Sequence, residues 1–165
     1  MIRLEPQLLT SERFAPYGDV IEASAAKSAG MNAARFERFD DLGRVETDRA
    51  GRTAISIARC RVATALPYRF DLVERHPHGS QAFVPLKPFR FIVVVAPPGE
   101  AVVADDLRAF VTNGRQGINY HRGTWHMPLI ALEAGQEFLV IDRAGNSPNC
   151  DEHSLDDTVL LAEVT

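Results

Sequence analysis

Four of the five histidines fall in two short segments about fifty residues apart, Glu74-Arg75-His76-Pro77-His78-Gly79-Ser80-Gln81 and Tyr120-His121-Arg122-Gly123-Thr124-Trp125-His126. Imidazole titrates near neutral pH and is the commonest metal ligand, so a fold that brings the two segments together makes a proton-moving or metal-binding centre. In an extended chain side chains alternate with period two, which puts Glu74 and His76 on one face, able to point into one cavity. Arg75 then lies on the other face, left for solvent or for a carboxylate across an interface. The bland alternative is a pair of hydrogen-bonded core histidines.

The elements that must position these residues read as β. The apolar runs at 54–58, 81–86, 89–95, 110–112, 129–132 and 137–142 are short and end at Gly, Pro or Asn, the punctuation of a sandwich or barrel rather than of alternating βαβ units. Two short helices are expected, Ser11-Glu12-Arg13-Phe14 with Ser11 as N-cap and Asp105 to Ala109 with acidic residues in its first turn. Asn113-Gly114, Ala134-Gly135 and Pro97-Pro98-Gly99 read as turns. The small-residue stretch from Ser24 to Asn32 reads as a surface loop.

At 165 residues the chain suits a single domain, residues 1–165, large enough to bury roughly 70% of the surface its unfolded form exposes. Net charge is −4, and the 16 arginines and two lysines are scattered, which argues against nucleic acid and acidic membranes as partners. The N-terminal residues lack the build of a signal peptide and the longest apolar run is far too short to span a bilayer, so a cytoplasmic protein is expected. Cys60 and Cys150, with no CxxC spacing, are expected to be reduced thiols.

The pattern Glu74-x-His76-x4-Gln81 resembles the first cupin motif, His-x-His followed four or five positions later by Glu. His121-Arg122-Gly123-Thr124-Trp125-His126 resembles the second cupin motif, Pro-x-Gly-x-x-His, with His in place of Pro. Glu74 stands where the first histidine would be and Gln81 where the glutamate would be; His76 and His126 match outright. More specifically, Tyr17-Gly18-Asp19-Val20-Ile21, Glu74-Arg75-His76-Pro77, Gln81-Ala82-Phe83, the stretch Thr112-Asn113-Gly114-x-Gln116-Gly117-x-Asn119-Tyr120-His121, Trp125-His126 and Ile141-Asp142-Arg143 look like the ureidoglycolate lyase family, in the same order over nearly the whole chain. The resemblance implies an all-β, cupin-like β-barrel of the double-stranded β-helix or jelly-roll type, often a homodimer. It also implies cleavage of ureidoglycolate to glyoxylate and urea late in allantoin breakdown. In that family the position of His78 varies, which leaves it outside the expected site.

Ureidoglycolate is a hemiaminal, so its cleavage needs a base for the hydroxyl proton, an acid for the departing nitrogen and an anchor for the carboxylate. His126, next to the only tryptophan, is the first choice for base, since a partly apolar pocket favours neutral imidazole. His76 or Tyr120 would supply the proton. With a divalent metal such as Ni²⁺ on Glu74, His76, Gln81 and His126, the ion would instead lower the pKa of the substrate hydroxyl; no organic cofactor is expected. Lys87, beside the buried-looking run from Phe89, could hold the carboxylate or be a solvated turn residue. Asp142 could fix a histidine tautomer or simply pair with Arg143. Gln116 and Asn119 could read the ureido group or serve a Gly-rich turn. Trp125 is expected to pack at the barrel mouth. Two other activities fit the same residues: an amidohydrolase that releases ammonia from the same compound, and a non-catalytic cupin domain that binds a small organic acid.

Overall fold

The computed structural model describes residues 1–24 and 28–164. Its elements are β1 (Ile2–Leu4), β2 (Gln7–Leu8), α1 (Ser11–Phe14), β3 (Gly18–Ile21), β4 (Ser28–Met31), β5 (Phe36–Phe39), β6 (Arg52–Arg59), β7 (Tyr68–Arg75), β8 (Gln81–Pro85) and β9 (Phe91–Ala96). A single turn of 3₁₀ helix at Ala104–Asp106 follows. The chain then continues through β10 (Arg108–Val111), β11 (Gly117–Tyr120), β12 (Trp125–His126), β13 (Ile130–Ala131), β14 (Glu137–Ala144) and β15 (Asp151–Leu161). These strands form the expected all-β, cupin-like barrel. An eight-stranded sheet in the order β1-β15-β7-β12-β9-β10-β2, with β13 also on β9, faces a five-stranded sheet in the order β3-β11-β8-β14-β6.

The central strand β9, Phe-Ile-Val-Val-Val-Ala, is buried at every position. A strand covered on both faces has no polar alternation to keep, which is why its sequence is continuously apolar. Phe91, Val93 and Val95 point into the barrel, where they meet Phe83, Ile118, Tyr120, Phe138 and Val140 of the five-stranded sheet. Ile92, Val94 and Ala96 point the other way into a second core with Phe70, Val73, Leu107, Trp125 and Val159. Strand β3 approaches β11 so closely at Gly18 that a Cβ there would sit 2.0 Å from the carbonyl oxygen of Asn119, which explains the glycine of the Tyr17-Gly18-Asp19 segment.

Several local expectations are corrected. The N-cap of α1 is Thr10, whose Oγ1 accepts from the Arg13 amide, rather than Ser11. The expected helix at 105–109 is only the 3₁₀ turn, because Arg108 already pairs with Val95 in the sheet. Within the stretch read as a loop, Ser28–Met31 is a strand paired with Phe36–Phe39; residues 25–27 lie outside the described residues. Gln116 to Asn119, read as a turn, runs straight into β11 between β3 and β8. Cys60 and Cys150 are both free thiols.

Candidate active site

Cross-strand register explains how two distant histidine segments meet. His126 on β12 sits directly opposite Glu74 on β7 and Val95 on β9. Directly opposed residues share a face, and because Val95 points into the barrel, so do Glu74 and His126. His76, two residues beyond Glu74, continues the same face just past the end of β7. From the other sheet, Gln81 opens β8 opposite Tyr120 of β11 and Asp142 of β14. Gln81 alternates with the inward Phe83, so these three also point inward. The two groups converge at one end of the barrel, beside a cleft of about 250 Å³ lined by His76, Ser80, Gln81, Asp142, Arg143, Asn149 and Cys150.

The imidazoles are held in one tautomer each by backbone carbonyls. His76 Nδ1 lies 2.7 Å from the carbonyl oxygen of Asn149, and His126 Nδ1 lies 3.0 Å from that of Thr124. A carbonyl can only accept, so both Nδ1 atoms carry the proton and, in the neutral rings, both Nε2 atoms present lone pairs. His76 Nε2 faces Gln81 Oε1 at 3.1 Å, and that amide cannot be turned around because its Nε2 donates to Asp142 Oδ2 at 3.1 Å. His126 Nε2 faces Glu74 Oε1 at 3.5 Å; it is buried and has no hydrogen-bond partner among the described residues. Four lone-pair donors therefore converge. The donor atoms of Glu74, His76 and His126 lie within 4.8 Å of one another. Such a cluster is held together either by added protons on the rings or by a cation, and its mix of imidazole, carboxylate and amide suits a divalent first-row ion.

Glu74 is held below the usual carboxylate range, foremost by the His126 imidazole 3.5 Å away, which outweighs the opposing effect of burial; the positive charge of His126 and of His76, when protonated, adds to it. The Tyr120 phenol, stacked on the His126 ring at 4.3 Å between centroids, is pushed far above its ordinary range by burial and then by the Glu74 charge. It keeps its proton, and its hydroxyl has no partner among the described residues. The Cys150 thiol is pushed up to about 11 by burial and by Glu74, to whose Oε2 it donates at 3.5 Å.

Of the residues singled out in the sequence, Glu74, His76, Gln81, Tyr120, His126 and Asp142 are gathered here. Among the described residues Asp142 makes no direct contact with a histidine and no ion pair with Arg143, and it reaches His76 only through Gln81. It holds Gln81, while the buried Arg143 donates to Asp48 Oδ1 at 2.8 Å. Lys87 is exposed beyond the far end of β8, about 20 Å along the strand from Gln81 at ~3.3 Å per residue. Gln116 supports a turn and the N-terminal segment, accepting from the Asn113 amide and donating to the Leu9 carbonyl. Asn119 faces away from the barrel and donates to Asp19 Oδ2 and the Arg44 carbonyl. Arg75 pairs with Asp151 of the same chain at 2.9 Å and lies over the Trp125 ring. Trp125 itself is buried, as expected of a packing residue.

Sequence reasoning missed Thr124, Asn149 and Cys150. The contacts of Thr124 and Asn149 with the two imidazoles are made by main-chain oxygens, which leave no trace in residue type. Cys150 had one available signal, its place after Ser147-Pro148-Asn149, a turn that returns the chain toward the barrel.

The description "ureidoglycolate lyase" belongs to the family model that matches residues 1–162 of the chain. Proteins of that name are similar over almost their whole length. One from Pseudomonas fluorescens strain SBW25 is 49% identical over 164 residues, covering 98% of this chain and 96% of that protein. One from Pseudomonas aeruginosa strain LESB58 is 47% identical over 152 residues, covering 92% and 89%. A third, from Pseudomonas entomophila strain L48, is 46% identical over 161 residues, covering 97% and 95%. With near-complete coverage on both sides and the histidine segments meeting at one barrel mouth, the chain belongs to the ureidoglycolate lyase family.

Proposed function

We propose that this chain is a carbon–nitrogen lyase that cleaves ureidoglycolate to glyoxylate and urea, working as one cupin-like domain over residues 1–165. The observation that carries the reading is the convergence of His76 Nε2, His126 Nε2, Glu74 Oε1 and Gln81 Oε1 beside an open cleft, in a member of this family. Those four side chains would hold a divalent ion such as Ni²⁺, and their inward-facing Nε2 and Oε1 atoms fit one. When bound, the ion supplies Lewis-acid polarisation and makes a substrate hydroxyl more acidic.

The reaction is proton-neutral. The hydroxyl of the hemiaminal loses a proton, its C–O bond becomes the aldehyde C=O, the C–N bond breaks, and the nitrogen regains a proton as urea forms. One group able to take and return a proton is sufficient. With the imidazole lone pairs and Glu74 engaged, Asp142 is the group left at the cleft: Oδ2 rests on Gln81 and the carboxylate faces the pocket. Asp142 takes the hydroxyl proton and delivers it to the leaving nitrogen. Tyr120 stacks on the His126 ring and keeps its own proton, with its hydroxyl available as a donor. Among the described residues lining the cleft, Arg143 is the one permanent cation, and it is committed to Asp48.

A homodimer in the cytoplasm fits this reading. The edge strand β6 exposes Ile55 and Ile57 on its outer face, an apolar pair suited to burial against a second copy. Two free thiols suit a reducing compartment. The decisive experiment is product analysis of purified protein given ureidoglycolate, with metal content measured before and after EDTA. Urea and glyoxylate in equal amounts are expected. Ammonia in place of urea would assign an amidohydrolase, and binding without turnover would assign a sensor.

A further inference from the structure

Asn149 and Cys150, adjacent in sequence just before the start of β15, grip the Glu74–His78 segment at three points. The Asn149 carbonyl accepts from His76 Nδ1 at 2.7 Å, its side-chain Oδ1 accepts from the His78 amide at 2.7 Å, and the Cys150 thiol donates to Glu74 Oε2 at 3.5 Å. Glu74 is thus pinned from both sides. Its Oε1 faces the buried, unpartnered His126 Nε2.

We propose that Cys150 is a positioning residue: its S–H occupies Glu74 Oε2, so that Glu74 presents only Oε1 to the cation position and leaves a coordination place open for the substrate. A carboxylate released from this contact can swing both oxygens onto an ion, because carboxylates bind in one-oxygen or two-oxygen mode. A site closed in that way binds metal and excludes substrate. A thiol suits this position, since its S–H can donate and the side chain lies at the cleft wall against Glu74. The proposal rests on the reading of Glu74 as a ligand.

The test uses the full chain, freed of metal, as wild type, Cys150→Ala and Cys150→Ser, each shown folded by its melting curve. Each is titrated with Co²⁺ and followed by visible absorption, and KM for ureidoglycolate is measured in parallel. The expected result is a changed Co²⁺ spectrum and a KM raised roughly tenfold in Cys150→Ala, the scale on which outer partners of metal ligands act. Cys150→Ser, which keeps a donor, returns both toward wild type. A wild-type spectrum and KM in Cys150→Ala would overturn the proposal. So would a thiolate charge-transfer band in the wild type that disappears in Cys150→Ala, since Cys150 would then be a ligand itself. A wild type that takes up no Co²⁺ refutes the metal reading instead. The proposal then falls with it, whereas Co²⁺ uptake by the wild type beside an unchanged Cys150→Ala overturns the proposal alone.

Discussion

Glu74 and His126 are direct cross-strand partners on β7 and β12, and the Oε1 to Nε2 distance is 3.5 Å. The pair is fixed by backbone register rather than by side-chain choice, so either partner can be altered without moving the other. Glu74→Gln removes the charge and keeps the shape. It is expected to lower divalent-metal affinity by more than about 100-fold, beyond what loss of an outer partner costs, while the thermal melt of the metal-free protein stays intact. Calorimetric titration of Ni²⁺ into both proteins checks this, and equal affinities would remove Glu74 from the ligand set.

Asp142 touches Gln81 through one oxygen and lines the cleft, which separates its holding role from its proton-moving role. Asp142→Asn preserves an acceptor for the Gln81 amide but cannot take a proton at neutral pH. Metal affinity and KM are therefore expected to hold while kcat falls roughly 10²- to 10⁴-fold, the usual worth of a positioned general base. Steady-state kinetics with parallel metal analysis decides the matter. A parallel loss of metal would make Asp142 a support for Gln81 and nothing more.

The parts of this fold that could be read from residues are those where burial and local pattern agree. Strand β9 is legible because burial on both faces demands six apolar residues in a row. Strand β15 escapes such a reading although it is the longest, since Asp151, Glu152, Asp156 and Asp157 break any apolar pattern and only Leu155, Val159 and Leu161 are buried, with a register shift between Ser154 and Val159. Period two places Glu74 and His76 on one face, but the partnership of Glu74 with His126 depends on which strands are neighbours, a tertiary fact. Lys87 fails as an anchor for the same reason: nearness to Gln81 in sequence is distance along an extended strand. Gln116 and Asn119 carry polar amides because neighbouring main-chain groups need partners, a demand indistinguishable in sequence from substrate recognition.

Tyr120 buries a hydroxyl with no partner among the described residues, while its ring packs against Phe14, Phe83 and His126. An unpartnered buried hydroxyl is a cost to stability that a site tolerates for function. Tyr120→Phe is expected to leave stability unchanged or raise it by about 1 kcal/mol, a gain of roughly 2–4 °C in Tm. The same change lowers kcat roughly 100-fold through loss of a preorganised donor. Calorimetry and kinetics on one preparation check both halves. Undiminished turnover would confine Tyr120 to packing.

Arg143 and Asp48 tie the segment Glu46–Asp48 over the His76–Ser80 loop, where Glu46 and Asp48 also exchange backbone hydrogen bonds with Ser80 and His78. The Asp48 carboxyl is held below its ordinary value, first by the hydrogen bonds of Arg143, against desolvation, and further by the charge of Arg143, by His78 when that ring is protonated, and by the Gly51 amide. For a carboxyl whose folded pKa is depressed, the stabilisation is complete above the unfolded value, 3.8, and is lost as pH falls through the lower folded value. Asp48→Asn is therefore expected to melt below the wild type at neutral pH, where it strands the buried guanidinium, and the gap is expected to close below about pH 4. Melting curves of both proteins between neutral pH and strong acid test this. A gap independent of pH would mean that the segment is held by its backbone bonds and not by the ion pair.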